Sequence, residues 1–288
     1  MISETDMATW QADGFLCVRG FYSSDEAAEA KGWVEEIAAW PDDAERWMHH
    51  REETSGGEIR LSRTENFVPY HDGMLNLLTR GKLLDAISQL MGEPAVLYKE
   101  KINYKYPGGA GYAAHQDAPA YEFIQHHVTC LVAIDPMTES NGCLQFAAGR
   151  HEEGLIGLND VGCIETTVAD AMDWVPAETF PGDVLFFSSY APHKSGTNTS
   201  EIPRRAIYLT YNAAAEGDFR EEYYRDKRET FARHKEAGSP EMTRIETSNR
   251  GRSRQRSAIF AACTSSRPRR PRRSKTAVYR KWTSPWRG

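Results

Sequence analysis

Lys101-Ile102-Asn103-Tyr104-Lys105-Tyr106-Pro107-Gly108-Gly109-Ala110-Gly111-Tyr112-Ala113-Ala114-His115-Gln116-Asp117 is the stretch on which the reading of this chain turns. Ile102 and Tyr104 alternate with Asn103 and Lys105, the period of a strand, and Pro107-Gly108-Gly109 supplies a turn. The chain then runs to His115 and Asp117, two residues apart, a spacing at which an extended strand points both side chains to one face. A second stretch has a similar build. Pro181-Gly182-Asp183 turns the chain, Val184-Leu185-Phe186-Phe187 reads as a strand, His193 and Ser195 follow, and Arg204 stands eleven residues past His193. Working outward, residues 126–135 and 206–211 read as further strands, and Asn141-Gly142 is a hairpin signal before Cys143-Leu144-Gln145-Phe146. Short strands joined by Gly, Pro and Asn turns predict a mainly β fold, a barrel or double-sheet jelly roll, with helices that come first and flank it.

Two imidazoles and one carboxylate on one side of a cation, with the other side open, form the facial set of non-haem Fe(II) oxygenases. His115 and Asp117 would come from one strand end, and closure of the barrel would bring His193 beside them. Taken alone, His-x-Asp is a weak motif, since a single histidine is more often a satisfied polar residue. Arg204 strengthens it. A guanidinium holds a carboxylate by two parallel hydrogen bonds, so Arg204 suits the far end of a dicarboxylate cosubstrate, against the plainer alternative of a surface arginine. Arg205 is the internal control, because neighbouring strand residues face opposite ways.

The first hundred residues supply the helices. Asp13-Gly14 predicts a turn, and Ser23-Ser24-Asp25-Glu26 an N-cap with acids in the first turn. That helix continues through Ala30, Trp33, Val34, Ile37 and Ala38, and Trp33 and Trp40 are expected to pack. Residues 41–62, with His49-His50, read as a surface excursion that could supply a lid. From His71 to Met91 the spacing predicts one helix, ended by Gly92. Phe219 to His234 reads as a charged helix or extension.

The five cysteines are an odd number with no Cys-x-x-Cys pair, which argues against a disulfide framework or thiolate zinc site and for reduced core residues. The acidic N-terminus lacks a secretory pattern, and no apolar run nears the ~20 residues of a membrane span, so a cytoplasmic protein is expected. Net charge is divided. Residues 249–288 hold 13 Lys and Arg and no acid, leaving 22 basic against 41 acidic residues in the rest. Such a body repels nucleic acid, while the tail could attract it. The tail's composition predicts disorder. We divide the chain into an oxygenase domain over 1–235 and a basic tail over 249–288.

His-Gln-Asp, Asn-Gly-Cys-Leu, Gly-Asp-Val-Leu-Phe-Phe, His-x-Ser-Gly-x-Asn-x-Ser and the arginine eleven past the histidine, in this order, resemble the phytanoyl-CoA dioxygenase family over about residues 8 to 225. The resemblance implies a double-stranded β-helix that uses Fe(II), 2-oxoglutarate and O2 to hydroxylate a substrate C–H, releasing succinate and CO2. It implies that His115, Asp117 and His193 bind iron and that Arg204 and Ser195 hold 2-oxoglutarate. Asn103 and Tyr121 match cosubstrate contacts of relatives, while Gln116 and Asn141 match supporting or turn residues. Related iron halogenases replace the carboxylate by a small residue, so Asp117 implies hydroxylation. The sequence from Lys101 to Tyr121 is also similar to bacterial small-molecule hydroxylases of the 2-aminoethylphosphonate dioxygenase type. A small, anionic or phosphonate-bearing substrate is therefore expected rather than a long acyl-CoA, whose phosphates the acidic body would repel. Lys99, Lys101 and Lys105 share a strand face, and we read them as a solvated sheet edge in preference to an anion site. Two other functions compete: a non-catalytic β-barrel binding protein, which should have lost a ligand or Arg204, and nucleic-acid binding through the tail.

Overall fold

The computed structural model describes residues 1–43, 45–53, 57–121, 123–160 and 162–236. The basic tail and Cys263 lie outside these residues. The chain begins with α1 (Glu4–Asp13), β1 (Phe15–Val18) and α2 (Ser24–Ala38), then β2 (Met48–Glu53), β3 (Ile59–Glu65), α3 (Asp72–Thr79) and α4 (Gly81–Met91). Next come β4 (Ala95–Lys105), β5 (Tyr112–His115), β6 (His127–Ala133), β7 (Leu144–Phe146), α5 (Thr166–Ala169) and β8 (Val175–Ala177). β9 (Val184–Ser188), β10 (His193–Ser195), β11 (Arg204–Ala213) and α6 (Arg220–Glu236) complete it.

The local signals act as expected where they are local. Gly14 caps α1 in the left-handed region, and Ser23 with Glu26 forms a capping box at the start of α2. The single helix expected over 71–91 is instead two. Arg80 is extended, closing α3 and opening α4, and Gly81 has φ +60°. The phase explains it. A helix burying Met74 and Leu78 would next turn Gly81, Lys82 and Asp85 inward, and the break resets the face to Leu83, Ala86, Ile87 and Leu90.

Two antiparallel sheets form the jelly roll. The larger runs β1-β9-β6-β11-β4-β3-β2 and the smaller β5-β10-β7-β8. Alternation gives the larger sheet two working faces. Val128, Cys130 and Val132 of β6 and Ile207 and Leu209 of β11 pack outward in one core with the residues of α2, α3 and α4. Leu131, Ala133, Leu185, Phe187 and Ala206 point inward, against Phe146 and Leu144 of the smaller sheet. Cys130 and Cys143 are buried free thiols and Cys17 is a half-buried one.

Three further expectations are corrected. Asn141-Gly142 does not make a hairpin: Glu139–Asn141 is a 3-10 turn capped by Gly142, and it carries the chain from one sheet to the other, since β6 and β7 are not paired. Residues 41–62 are no mere surface excursion, because β2 and β3 pair and β3 extends the sheet beside β4, with Arg63 opposite Asn103. The lysine strand is no edge either. β4 lies between β11 and β3, so Lys99, Lys101 and Lys105 face the interior of the barrel.

Candidate active site

His115 and His193 sit directly opposite each other where β5 pairs with β10, with ring centroids 4.2 Å apart. Asp117 does not lie on that strand. The chain leaves β5 after His115, and Asp117 adopts helical backbone angles at the head of the 3-10 turn Ala118–Ala120. Asp117 therefore meets His115 from the turn and not, as the strand spacing predicts, from the same strand face. Buried Gln116 secures the departure: its amide donates to the carbonyls of Gly154 (2.8 Å) and Tyr190 (2.7 Å), and its oxygen accepts from Ile156 N–H (2.9 Å). The Tyr190 bond fastens this turn to the loop that leads into His193.

The donor set suits one cation. One ligand atom from each of His115, Asp117 and His193 lies within 4.8 Å of the other two. Both histidine Nε2 atoms are 3.8 Å from Asp117 Oδ1, too far for hydrogen bonds. Each Nδ1 bonds a backbone carbonyl two residues earlier, His115 to Ala113 (2.8 Å) and His193 to Ala191 (3.0 Å), which leaves Nε2 as the ligating nitrogen. Burial, with His193 beside it, pushes the His115 imidazole down to about 4, so it is neutral and able to ligate. Burial alone would raise the Asp117 carboxyl, but His193, His115, Lys99 and Lys101 outweigh it and hold it below the usual carboxylate range. Phe146 and Phe187 flank the His193 ring at 5.7 and 5.1 Å and form an apolar wall. These residues fit Fe(II), which takes imidazole and carboxylate.

To one side of this set, two cations face each other. Arg204 pairs with Lys105 across β11 and β4, and both are buried. Arg204 donates from Nε to the Asn141 carbonyl (3.1 Å) and from Nη2 to that of Gly142 (2.6 Å). Lys105 Nζ donates to Ser195 Oγ (3.3 Å) and to the Gly196 carbonyl. Gly142 is required here, because a Cβ would stand 2.3 Å from the Gly196 oxygen and 2.7 Å from Lys105 Nζ. Burial and the Arg204 charge push the Lys105 ammonium down to about 7. Like charges directly opposite on a sheet repel, and the hydrogen bonds described go to neutral oxygens. The place suits a carboxylate. Arg205, the control, turns outward to Asp135 and Glu35.

At the other end of the same strand face stand Lys99 and Lys101, with Lys105 about 20 Å along the strand from the first and about 13 Å from the second. Tyr121 belongs to this end and not beside Arg204. Its hydroxyl bonds Thr210 Oγ1 (3.0 Å), and Thr210 is paired with Lys99. Lys99 Nζ lies over the Tyr121 ring at 4.7 Å, and Lys101 Nζ over Tyr208 at 5.6 Å. Buried His127 packs edge-on to Tyr121 at 4.9 Å. Between the ends, Asn103 Oδ1 accepts from Arg63 Nε (3.1 Å), whose Nη2 donates to Tyr112 Oη (3.3 Å). Lys105 is weighed in the sequence as an anion site but set aside as a sheet edge, and Arg63 and His127 go unrecognised there. The alternation of β4 could have found Lys105 once the strand was known to be internal; nothing local marks the other two.

Residues 10–206 match the family described as Phytanoyl-CoA dioxygenase (PhyH). The chain is 54% identical over 241 residues to the methylphosphonate hydroxylase of Gimesia maris, covering 84% of this chain and 92% of the relative. It is 43% identical over 240 residues to a 2-aminoethylphosphonate dioxygenase of an uncultured bacterium, covering 82% and 89%. In fold it is similar to EctD from S. alaskensis with bound Fe, with a TM-score of 0.65 at 22% identity over 75% of this chain and 78% of that one. It is also similar to the epimerase SnoN in complex with Fe3+, alpha ketoglutarate and nogalamycin RO, with a TM-score of 0.63 at 22% identity over 73% and 83%. No helix among the described residues is long and apolar enough to cross a membrane.

Proposed function

The chain belongs to the phytanoyl-CoA dioxygenase family, and from that premise we propose that it hydroxylates a small alkylphosphonate, methylphosphonate first among them. It is an Fe(II)- and 2-oxoglutarate-dependent dioxygenase that hydroxylates an unactivated C–H of a small molecule, with release of succinate and CO2. Within it we assign His115, Asp117 and His193 to iron. Arg204, Ser195 and Lys105 take the distal carboxylate of 2-oxoglutarate, and Asn103, held by Arg63, faces the cosubstrate between the two ends. Lys99 and Lys101, with Tyr121 beside them, take the anionic group of the substrate.

The observation that carries this reading is the distribution of charge along β4: one cationic end is buried beside Arg204, and a second acts electrostatically on Asp117. Two anions, cosubstrate and substrate, would occupy the two ends. The names of the two relatives favour a phosphonate for the second. Bound iron and cosubstrate supply the oxidising power for C–H cleavage. The protein's own part is to orient. Lys99 and Lys101 fix the headgroup by charge, Gln116 holds the ligand turn in place, and Phe146 and Phe187 keep water from one side of His193.

The test is succinate release by iron-loaded enzyme offered methylphosphonate, 2-aminoethylphosphonate, the matching carboxylates and ectoine, with the phosphorus product followed by NMR. A hydroxylated phosphonate formed in step with succinate is expected. Turnover of carboxylates or ectoine with none of phosphonates would overturn the substrate assignment and leave the enzyme class standing.

A further inference from the structure

Helix α6 lies beyond the segment 10–206 that matches the family, yet it reaches the Lys99 end of the barrel. Buried ion pairs hold it there. Arg220 donates to both carboxylate oxygens of Glu100 at 2.6 and 2.7 Å, and Lys227 pairs with Glu65. The Tyr224 hydroxyl donates to the Glu100 carbonyl (2.9 Å) and accepts from the Glu100 N–H (3.1 Å). Glu100 adjoins Lys99, so the helix is pinned to β4 one residue from that lysine.

Tyr223, the neighbour of Tyr224, takes a hydrogen bond on its hydroxyl from Lys227 Nζ (3.3 Å), which also lies 5.5 Å from its ring, and reaches a second set of groups as well. Its ring is 4.9 Å from Tyr98, and Lys99 Nζ stands 5.6 Å from its centroid. Tyr98 comes within reach through a bulge: Leu97 pairs with Tyr211 and Lys99 with Thr210, so Tyr98 is the extra residue. It turns to meet Tyr121 at 5.9 Å. The Lys99 ammonium is thus set against the faces of Tyr121 and Tyr223, an arrangement that attracts a cation.

Resting on the reading of Lys99 as a substrate anchor, we propose that Tyr223 is a positioning residue acting through Lys99, so that α6 sets affinity for the anionic substrate without touching the cosubstrate. A lysine side chain loses much rotamer freedom when it grips an anion. Holding it against two rings beforehand reduces that loss.

The experiment is a cycle of Y223L, Y223F, K99M and Y223L/K99M, reading KM for phosphonate, KM for 2-oxoglutarate and kcat. Y223L should raise the phosphonate KM about 5–10-fold, with the cosubstrate KM and kcat within about twofold. Y223F, which keeps the ring and loses only the hydrogen bond from Lys227, should leave the phosphonate KM within about twofold of wild type. K99M should raise the phosphonate KM at least as much, and adding Y223L to it should change nothing more. An unchanged phosphonate KM in Y223L, or an equal further rise in the K99M background, overturns the proposal. If K99M itself leaves the phosphonate KM unchanged, the substrate reading of Lys99 fails instead. Should Y223L not fold by circular dichroism, Y223Q carries the same test.

Discussion

The two ends of the inner face of β4 are built in different ways. Around Lys105 everything comes from the strands and their turns: Arg204 from β11, Ser195 from β10, and the carbonyls of Gly142 and Gly196 packed so closely that no side chain fits at Gly142. Around Lys99 the partners are aromatic rings from a turn and from α6, met at 4.7 and 5.6 Å. The first end is buried and closely packed, as would suit the cosubstrate proposed for it. The second is assembled from elements that can change without disturbing the sheets. One strand thus presents a closely packed cationic end and, at the other, a cationic end lined by aromatic rings, which under the proposed function would take a constant anion and a selectable one.

The harshest way to break the comparison is to remove the metal set that both ends would serve. Asp117→Ala or His193→Ala should lose iron after anaerobic loading and reduce succinate release to background. Wild-type turnover in either would sink the site assignment. A smaller effect separates the ends. Arg204→Ala should raise the 2-oxoglutarate requirement by roughly 10–100-fold, the scale of a lost charge-assisted hydrogen-bond pair, with iron still bound. An unchanged requirement would move the carboxylate elsewhere.

The smallest expected effect concerns protons. Lys105 is pushed down to about 7, so above that pH its ammonium is largely deprotonated in the folded protein. A bound carboxylate favours the charged form, so 2-oxoglutarate binding at pH 8 should take up as much as one proton, and near none at pH 6. Calorimetry in two buffers of different ionisation enthalpy measures it, and Lys105→Met should remove the difference. Linkage gives a companion sign. The folded pKa is lowered, so without cosubstrate the buried charge costs stability below about pH 7, and that cost is relieved as pH rises from there toward the unfolded value. A binding heat independent of buffer would show that Lys105 does not meet the cosubstrate.

Where the sequence was legible, the signal was local. The capping box at Ser23, the left-handed Gly14 and the alternation of β4 depend on a few neighbouring residues. Where it was not, a distant partner decided. The helix break at Gly81 follows from which face the sheet covers. The Asn141-Gly142 turn joins two sheets because β7 pairs with β10, some fifty residues later, rather than with β6. Tyr121 stands by Lys99 because Thr210 holds its hydroxyl.

The β-rich class and the candidate set of His115, Asp117, His193 and Arg204 were therefore legible in the sequence alone, because side-chain chemistry and strand period are carried by the residues themselves. Which lysines meet solvent was decided only by the tertiary structure. β4 lies between β3, about forty residues earlier at Arg63, and β11, about a hundred later at Arg204. Pairing with both makes it an internal strand, and the smaller sheet closes over its inward face. Burial is a property of what covers a side chain, and here the cover comes from strands far away in the chain.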